Sequence, residues 1–402
     1  MNALPTVLIT VTGKDRSGVT AAITGALSMF GVSVLDMEQI VLRGRLILGI
    51  LVTAPRDSTK LRRAIEATAA SLEMEVEVAI GVGDNEQRRD GRAHVTVLGR
   101  PLPPAAMAAI TGRIADTGAN IERIVRMARY PVTAIDFSVS GADFDQLRSL
   151  LAAEAAQQQV DVAVQRAGLV RHGRRLLVLD VDSTLVQGEA IDVLAEHAGV
   201  GPQVAAITER AMRGEFEFEA SVRERVALLK GLDAGALDET YAAMSLSPGA
   251  RTLIRTLKRL GYRVGIVSGG FTQLTSRWAR ELGIDYARAN ELEIVDGRLT
   301  GRMLGEVVDR AGKAEALRDF ARDSKIPLER TIAVGDGAND LDMLAAAGLG
   351  IAFNAKPAVR KAAHTALTAP YLDTILYLLG ITREEIEAED AADAADAADA
   401  LS

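Results

Sequence analysis

Two rhythms of apolar and polar positions divide the chain. Up to about residue 168, short alternating runs with a period of two are interleaved with helical stretches, and the whole series occurs twice. The first copy reads as a strand at Thr6–Thr12, a helix at Ser17–Phe30, strands at Val32–Leu42 and Arg45–Ala54, a helix at Asp57–Leu72 and a strand at Glu73–Ile80. The second copy runs Ala93–Leu98, Pro103–Thr117, Asn120–Arg129, Val132–Ser140, Asp143–Gln157 and Gln159–Arg166 in the same order. This βαββαβ order predicts two ferredoxin-like units, residues 1–84 and 91–168, joined by the polar stretch Gly83–Arg92.

From Leu176 the rhythm changes to short continuous apolar runs between amphipathic helices. Leu176–Leu179, Arg263–Val267, Thr331–Val334 and Gly350–Phe353 read as buried parallel strands. Their alternation with helices predicts an α/β, doubly wound parallel-sheet domain over residues 174–382. Ala190–Met244 is helical in pattern throughout, so a helical cap over about 190–246 is expected beside the site. Met212, Phe216, Phe218 and Trp278 read as cap or core packing.

The 402-residue chain carries a net charge of −8, and its origin is local. Eight of the 54 acidic residues lie in 383–402, and without them acids and bases balance at 46 each. Asp390–Ala400 is an Ala-Ala-Asp repeat with no large apolar residue, so 383–402 is expected to be a solvated, disordered or weakly helical acidic tail. There is no Cys, which excludes disulfides, thiol nucleophiles and thiolate metal sites. No two of the four His have metal-ligand spacing, so a metal would be held by carboxylates, which favours magnesium. No basic surface points to nucleic acid, no apolar run approaches a membrane span, and the start has no signal-peptide pattern; a cytoplasmic protein is expected.

Open parallel sheets build sites at the carboxyl ends of their strands. Three such ends carry chemistry here: Asp180-Val-Asp182-Ser-Thr184, Ser268-Gly269-Gly270, and Gly335-Asp336-Gly-Ala-Asn339-Asp340. Lys313 stands where a helix over Ala314–Arg322 is expected to begin, against the helix dipole, and an anion nearby would explain it.

In order and character these four pieces resemble the motifs of the haloacid dehalogenase superfamily, over about residues 175–380. The resemblance implies phosphoryl transfer with Asp180 as nucleophile and Asp182 as acid and base. It also implies Mg2+ on Asp180, Asp336 and the backbone carbonyl of Asp182. Ser268, the Gly269 N–H and Lys313 would bind phosphoryl oxygens, Asn339 would donate on the substrate side, and Asp340 would orient its neighbours. Such charge is needed because a phosphate dianion repels an attacking carboxylate. An inactive, purely regulatory relative would show a damaged motif, and all four regions are intact.

Within the superfamily, Asp180–Glu189, the segment Phe218–Val226 and Val267–Phe271 resemble the phosphoserine phosphatases. That resemblance implies O-phospho-L-serine as substrate, with Glu189 on its ammonium and Arg225 on its carboxylate. Spacing alone leaves Arg223 and Arg210 open as alternatives to Arg225, and leaves open a phosphotransferase or a phosphatase of another small ester. The first half, above all Gly13-Lys14-Asp15-Arg16-Ser17-Gly18, resembles ACT domains. It implies L-serine as an allosteric inhibitor at Asp15 and Gly18, completed by Asn120 across the interface of a homodimer formed through these domains. The second copy has Gly99-Arg-Pro-Leu-Pro-Pro104 at that loop, with few free N–H donors, and departs from the pattern.

Overall fold

Alternation along the first strands decides which face meets the helices. The computed structural model describes residues 4–83, 91–168, 175–212, 218–363 and 365–399. Most of the Gly83–Arg92 linker and Phe216 therefore lie outside the described residues, as does the side chain of Met212. The chain divides into two units, Met1–Arg88 and Arg89–Ser402.

In the first unit β1 (Pro5–Lys14), α1 (Val19–Ser28), β2 (Val34–Leu42), β3 (Arg45–Thr53), α2 (Ser58–Ser71) and β4 (Glu75–Val82) follow one another. The antiparallel sheet has the order β2-β3-β1-β4. Val7, Ile9 and Val11 of β1 and Leu46, Leu48 and Ile50 of β3 turn to one face and pack with Ile23, Leu61 and Ile65 of the helices. Asp57 caps α2 by accepting the Lys60 N–H at 3.0 Å.

The second unit opens with β5 (Ala93–Gly99), α3 (Pro104–Asp116), β6 (Asn120–Ala128), β7 (Thr133–Ser140), α4 (Phe144–Gln158) and β8 (Asp161–Arg166), in the sheet order β6-β7-β5-β8. Here the sheet face away from the helices is covered. Leu98, Ala128, Ala134 and Ala163 join the apolar core of the domain that follows, and Asp161 accepts from the Thr368 N–H at 2.8 Å.

That domain contains β9 (Leu176–Asp180), α5 (Ala190–His197), α6 (Gly201–Met212), α7 (Phe218–Ala227), α8 (Ala236–Ala243), α9 (Ala250–Arg259), β10 (Arg263–Phe271) and α10 (Thr272–Leu282). It continues through β11 (Tyr286–Val295), β12 (Arg298–Leu304), α11 (Arg310–Asp323), β13 (Thr331–Gly335), α12 (Leu341–Ala346) and β14 (Leu349–Phe353). It ends with α13 (Pro357–Ala362), β15 (Thr365–Leu367), α14 (Ile375–Leu378) and α15 (Arg383–Asp399). The sheet order is β12-β11-β10-β9-β13-β14-β15, parallel except for β12. Leu177 and Leu179 of β9 enter one core layer with α9 and α14, while Leu176 and Val178 enter another with α11 and α12. Burying both faces at about 1.5–3 kcal/mol per large side chain explains why this strand reads as an unbroken apolar run.

Three expectations need correction. The sheet has seven strands rather than the four named from the sequence, because β11 carries Arg288, Asn290, Glu291 and Glu293, and β12 folds back on it as a hairpin. Helix α11 starts at Arg310, capped by Asp309 accepting from the Gly312 N–H at 2.7 Å, so Lys313 lies one turn inside the helix. The acidic tail is also helical and is pinned along its first turns. Ile386 is buried, and Asp390 pairs with Arg255 at 2.6 Å and Arg259 at 3.1 Å. Ile386 and Asp390 share a helix face, and Arg255 and Arg259 share one on α9.

Candidate active site

β9 is the centre of the sheet, with β10 on one side and β13 on the other, so the ends of these three strands converge. Asp180, the last residue of β9, is 4% exposed, and Lys313 is fully buried beneath it. The Lys313 ammonium donates to Asp180 Oδ1 at 2.6 Å and to Asp340 Oδ1 at 2.7 Å. Burial alone would lower the Lys313 pKa, but Asp180 and Asp340 outweigh it and hold the ammonium protonated. Burial, then the Asp340 charge, pushes the Asp180 carboxyl well above the usual carboxylate range against the pull of Lys313. Asp336 is pushed up to about 6, by burial and then by Asp340. Thr184, fully buried, donates to Asp336 Oδ1 at 3.1 Å.

Oxygen atoms of Asp180, Asp336 and Asp340 lie within 4.8 Å of one another. One ammonium cannot balance three carboxylates, and the Asp340 charge adds to burial in raising both Asp180 and Asp336. An all-oxygen donor set with surplus negative charge fits a hard divalent cation. The Asp182 carboxylate stands outside this cluster. Its Oδ1 accepts the Ala190 N–H at the start of α5 at 2.9 Å, and its Oδ2 accepts from Ser268 Oγ at 2.9 Å. The Ser268 hydroxyl is thus engaged with Asp182 here, and in turn accepts the Gly270 N–H at 2.7 Å. A Cβ on Gly270 would lie 2.7 Å from Asp182 Oδ2, which requires glycine there.

The turn Val181–Leu185 carries Ser183 at φ 58°, a left-handed conformation that a serine adopts at some cost. It brings Ser183 Oγ to Glu189 Oε1 at 2.9 Å. Water still reaches Glu189, which moderates the effect of the protein around it; burial and the Asp182 charge push its carboxyl up to about 7. Arg225 is half-buried on α7. Burial lowers its guanidinium from the ordinary value, opposed first by the charge of Glu189 and then by Asp192 and Asp182. The two alternatives lie on the surface: Arg210 is exposed, and Arg223 is exposed and paired with Glu219 at 2.7 Å. Asn339 is half-buried in the loop after β13, and its Oδ1 crowds Gly337. Phe218 leans on Gly269, 3.1 Å from where a Cβ would stand, so the cap reaches the core at the site. Trp278 is buried in the core, as packing requires.

Asn290 was not anticipated from the sequence, and it bonds both Gly269 and Val308. The candidate effector residues lie elsewhere. Asp15 is exposed, with its N–H bonded to the Gly44 carbonyl at 2.8 Å, and Gly18 precedes α1 at φ 93°. Asn120 opens β6, exposed and paired with Ser140. Among the described residues no helix is long and apolar enough to cross a membrane.

Residues 177–345 match the haloacid dehalogenase-like hydrolase family, and residues 5–79 and 92–165 each match an ACT domain. The phosphoserine phosphatase of Streptomyces coelicolor is 58% identical over 96% of this chain and 95% of its own length. A phosphoserine phosphatase of Mycobacterium tuberculosis is 51% identical over 97% of each chain. The crystal structure of a probable phosphoserine phosphatase from Vibrio cholerae aligns with a TM-score of 0.57 at 37% identity, over 71% of this chain and 86% of that one. With likeness at this level across almost its whole length, the chain belongs to the phosphoserine phosphatases, haloacid dehalogenase-like hydrolases here preceded by two ACT domains.

Proposed function

We propose that the enzyme hydrolyses O-phospho-L-serine to L-serine and phosphate through an aspartyl-phosphate, as the last step of L-serine biosynthesis, and that L-serine inhibits it at the ACT half. The observation that carries the chemistry is the pairing of two differently held carboxylates. Asp180 is clamped by a buried ammonium, while Asp182 is held between a helix N-terminus and Ser268. An oxygen of Asp180 attacks phosphorus as the bond to the serine oxygen breaks, and Asp182 gives that oxygen its proton. Asp182 then takes a proton from water, which attacks phosphorus and breaks the bond to Asp180, releasing phosphate. Ser268, the Gly269 N–H and Lys313 hold the phosphoryl oxygens. Asn339 donates on the substrate side, and Asp340 fixes Lys313. Asp180, Asp336 and the Asp182 carbonyl would hold Mg2+, which supplies positive charge against the repulsion between carboxylate and phosphate dianion.

Glu189 and Arg225 make the substrate an amino acid: a carboxylate for an ammonium, and a planar fork for a carboxylate. Release of phosphate from L-phosphoserine with Mg2+, compared with phosphothreonine and sugar phosphates, tests this; a preference for sugar phosphates overturns it. Glu189 must be ionised to receive the ammonium. Since its carboxyl is raised to about 7, kcat/KM is expected to climb as pH rises toward 7. In Glu189→Gln the part near 7 disappears, and KM rises about 5–30-fold, corresponding to about 1–2 kcal/mol for a charged hydrogen bond open to water. An unchanged pH profile in that variant would remove Glu189 from the substrate site.

For regulation, the turn Asp15–Gly18 between β1 and α1 offers backbone donors at a helix start beside the Asp15 carboxylate, groups that suit an amino acid. Asp15→Ala is expected to abolish serine inhibition and leave serine-free kcat unaltered; inhibition of wild-type strength would refute the site. The homodimer belongs to the same proposal. Leu8, Ile40, Leu42 and Ile47 lie exposed on the first sheet's face away from its helices, an apolar surface suited to a subunit contact.

A further inference from the structure

Asn290 is 1% exposed in β11, a strand whose neighbouring positions hold Arg288, Glu291 and Glu293. Its Nδ2 donates to the Gly269 carbonyl at 2.7 Å, and its Oδ1 accepts the Val308 N–H at 2.7 Å. The β10–β11 ladder is regular through Val267, breaks over Ser268–Gly270, and resumes where Phe271 pairs with Asn290. In that gap the Gly269 carbonyl has lost its strand partner, and the Asn290 amide takes the partner's place.

The bond reaches further because the Gly269 carbonyl and the Gly270 N–H belong to one planar peptide. Fixing the oxygen fixes the N–H, which holds Ser268 Oγ at 2.7 Å; Ser268 Oγ holds Asp182 Oδ2 at 2.9 Å. On its other side Asn290 ties this peptide to Val308, next to the Asp309 cap of α11, the helix that carries Lys313. Only a side chain with a donor and an acceptor on one planar group serves both partners, which selects an amide.

We propose that Asn290 is a positioning residue for the reaction: it aims Asp182 through the Gly269–Gly270 peptide and Ser268, and fixes that peptide to the Lys313 helix. The proposal rests on the assignment of Asp182 as acid and base. It predicts a larger effect on turnover than on substrate capture: Glu189 and Arg225 are untouched, and only the Ser268 contact to a phosphoryl oxygen is shared.

The test is steady-state hydrolysis of L-phosphoserine by the full-length protein with Mg2+. Asn290→Ala is expected to lower kcat about 10–100-fold and to move KM by less than about threefold. Asn290→Asp keeps the acceptor for Val308 and loses only the donor to Gly269, and a kcat loss of similar size is expected. In a Ser268→Ala background the Asn290→Asp change is expected to cost no more than about threefold, because both act along one chain of bonds. A merely structural role would leave kcat of the folded variant near wild type, or give a loss that multiplies with Ser268→Ala. The proposal is overturned if the folded Asn290→Ala keeps kcat within about twofold of wild type, or if the two losses multiply. If Asn290→Asp does not fold by circular dichroism, Asn290→Ala carries both measurements. A wild-type protein inert toward phosphoserine would instead sink the proposed function itself.

Discussion

Asp180→Asn is expected to remove phosphoserine turnover by at least about 10⁴-fold while leaving the protein folded. The amide is close in shape but carries no charge with which to attack phosphorus. Lys313 keeps its second partner, Asp340, at 2.7 Å, so the substitution leaves no ammonium unpaired. Stability should move the other way from activity. Burial raises the Asp180 carboxyl in the folded protein, so the native state holds that proton more tightly than the unfolded chain does. Wild-type stability therefore falls as pH rises through the carboxylate range, and the Asn variant lacks this fall. In metal-free buffer at neutral pH its melting temperature is expected to equal or exceed that of wild type. Phosphate release and thermal unfolding together check the prediction; retained turnover would remove Asp180 as nucleophile.

How far the sequence reveals this arrangement depends on which signals are local. β9 is legible because both its faces are buried, and Asp180 is legible because an acid at such a strand end has no cheap alternative to a cation. β11 hides because its side chains alternate with charge, and Asn290 hides within it. The hairpin to β12 did leave a signal: Asp296-Gly297 at φ 49° and 74°, the pair that favours tight turns between strands. Spacing leaves Arg225, Arg223 and Arg210 open, and the resemblance chose Arg225; the structure adds that Arg225 is half-buried while the other two are exposed. The rise of Glu189 to about 7 also needs the fold, because burial leads it and the Asp182 charge follows. The docked acidic helix escapes composition because a few separate contacts anchor it: buried Ile386, Asp390 with Arg255, Glu384 with Arg126 and Arg383 with Asp373.

The second ACT domain departs from the first at the loop before its first helix, and the structure shows what that loop does instead. Arg100 donates to the Tyr371 hydroxyl at 3.2 Å and lies over its ring. The neighbouring Leu372 N–H bonds to the Pro248 carbonyl at 2.7 Å, beside Ser247, whose hydroxyl donates to the Thr184 carbonyl at 2.6 Å. Thr184 holds Asp336. A contiguous path therefore runs from this domain to the acidic cluster, past the Val186–Leu246 bridge where the cap leaves and rejoins the core. An effector that shifted the second ACT domain would act on the bridge at the base of the cap and on a carboxylate of the site.

Lys313→Ala should show what that cluster costs when its internal cation is gone. Lys313 and Asp340 are fully buried and Asp180 nearly so, and removing one partner leaves charge that water cannot reach. The metal-free variant is expected to lose about 3–5 kcal/mol of stability at neutral pH and at least about 10³-fold in kcat. The pH dependence has a definite sign. With the ammonium absent, its downward pull on Asp180 disappears, so that carboxyl, already raised, rises further. An acid with a raised folded pKa favours the native state at low pH and disfavours it as pH rises. The gap between variant and wild type should therefore narrow toward acid and widen through neutral pH, up to the ordinary lysine range at about 10.4, above which the wild type loses the contribution of its raised Lys313. Mg2+ restores part of the loss by supplying charge to the same oxygens; at a hundred times its dissociation constant, binding adds about 2.7 kcal/mol to either protein. Unfolding of both proteins across pH, with chelator and with Mg2+, measures each part. If Lys313→Ala matches wild type in chelator at neutral pH, then Asp180 and Asp340 do not need the ammonium to remain buried, and the surplus charge that argues for a divalent cation is not there.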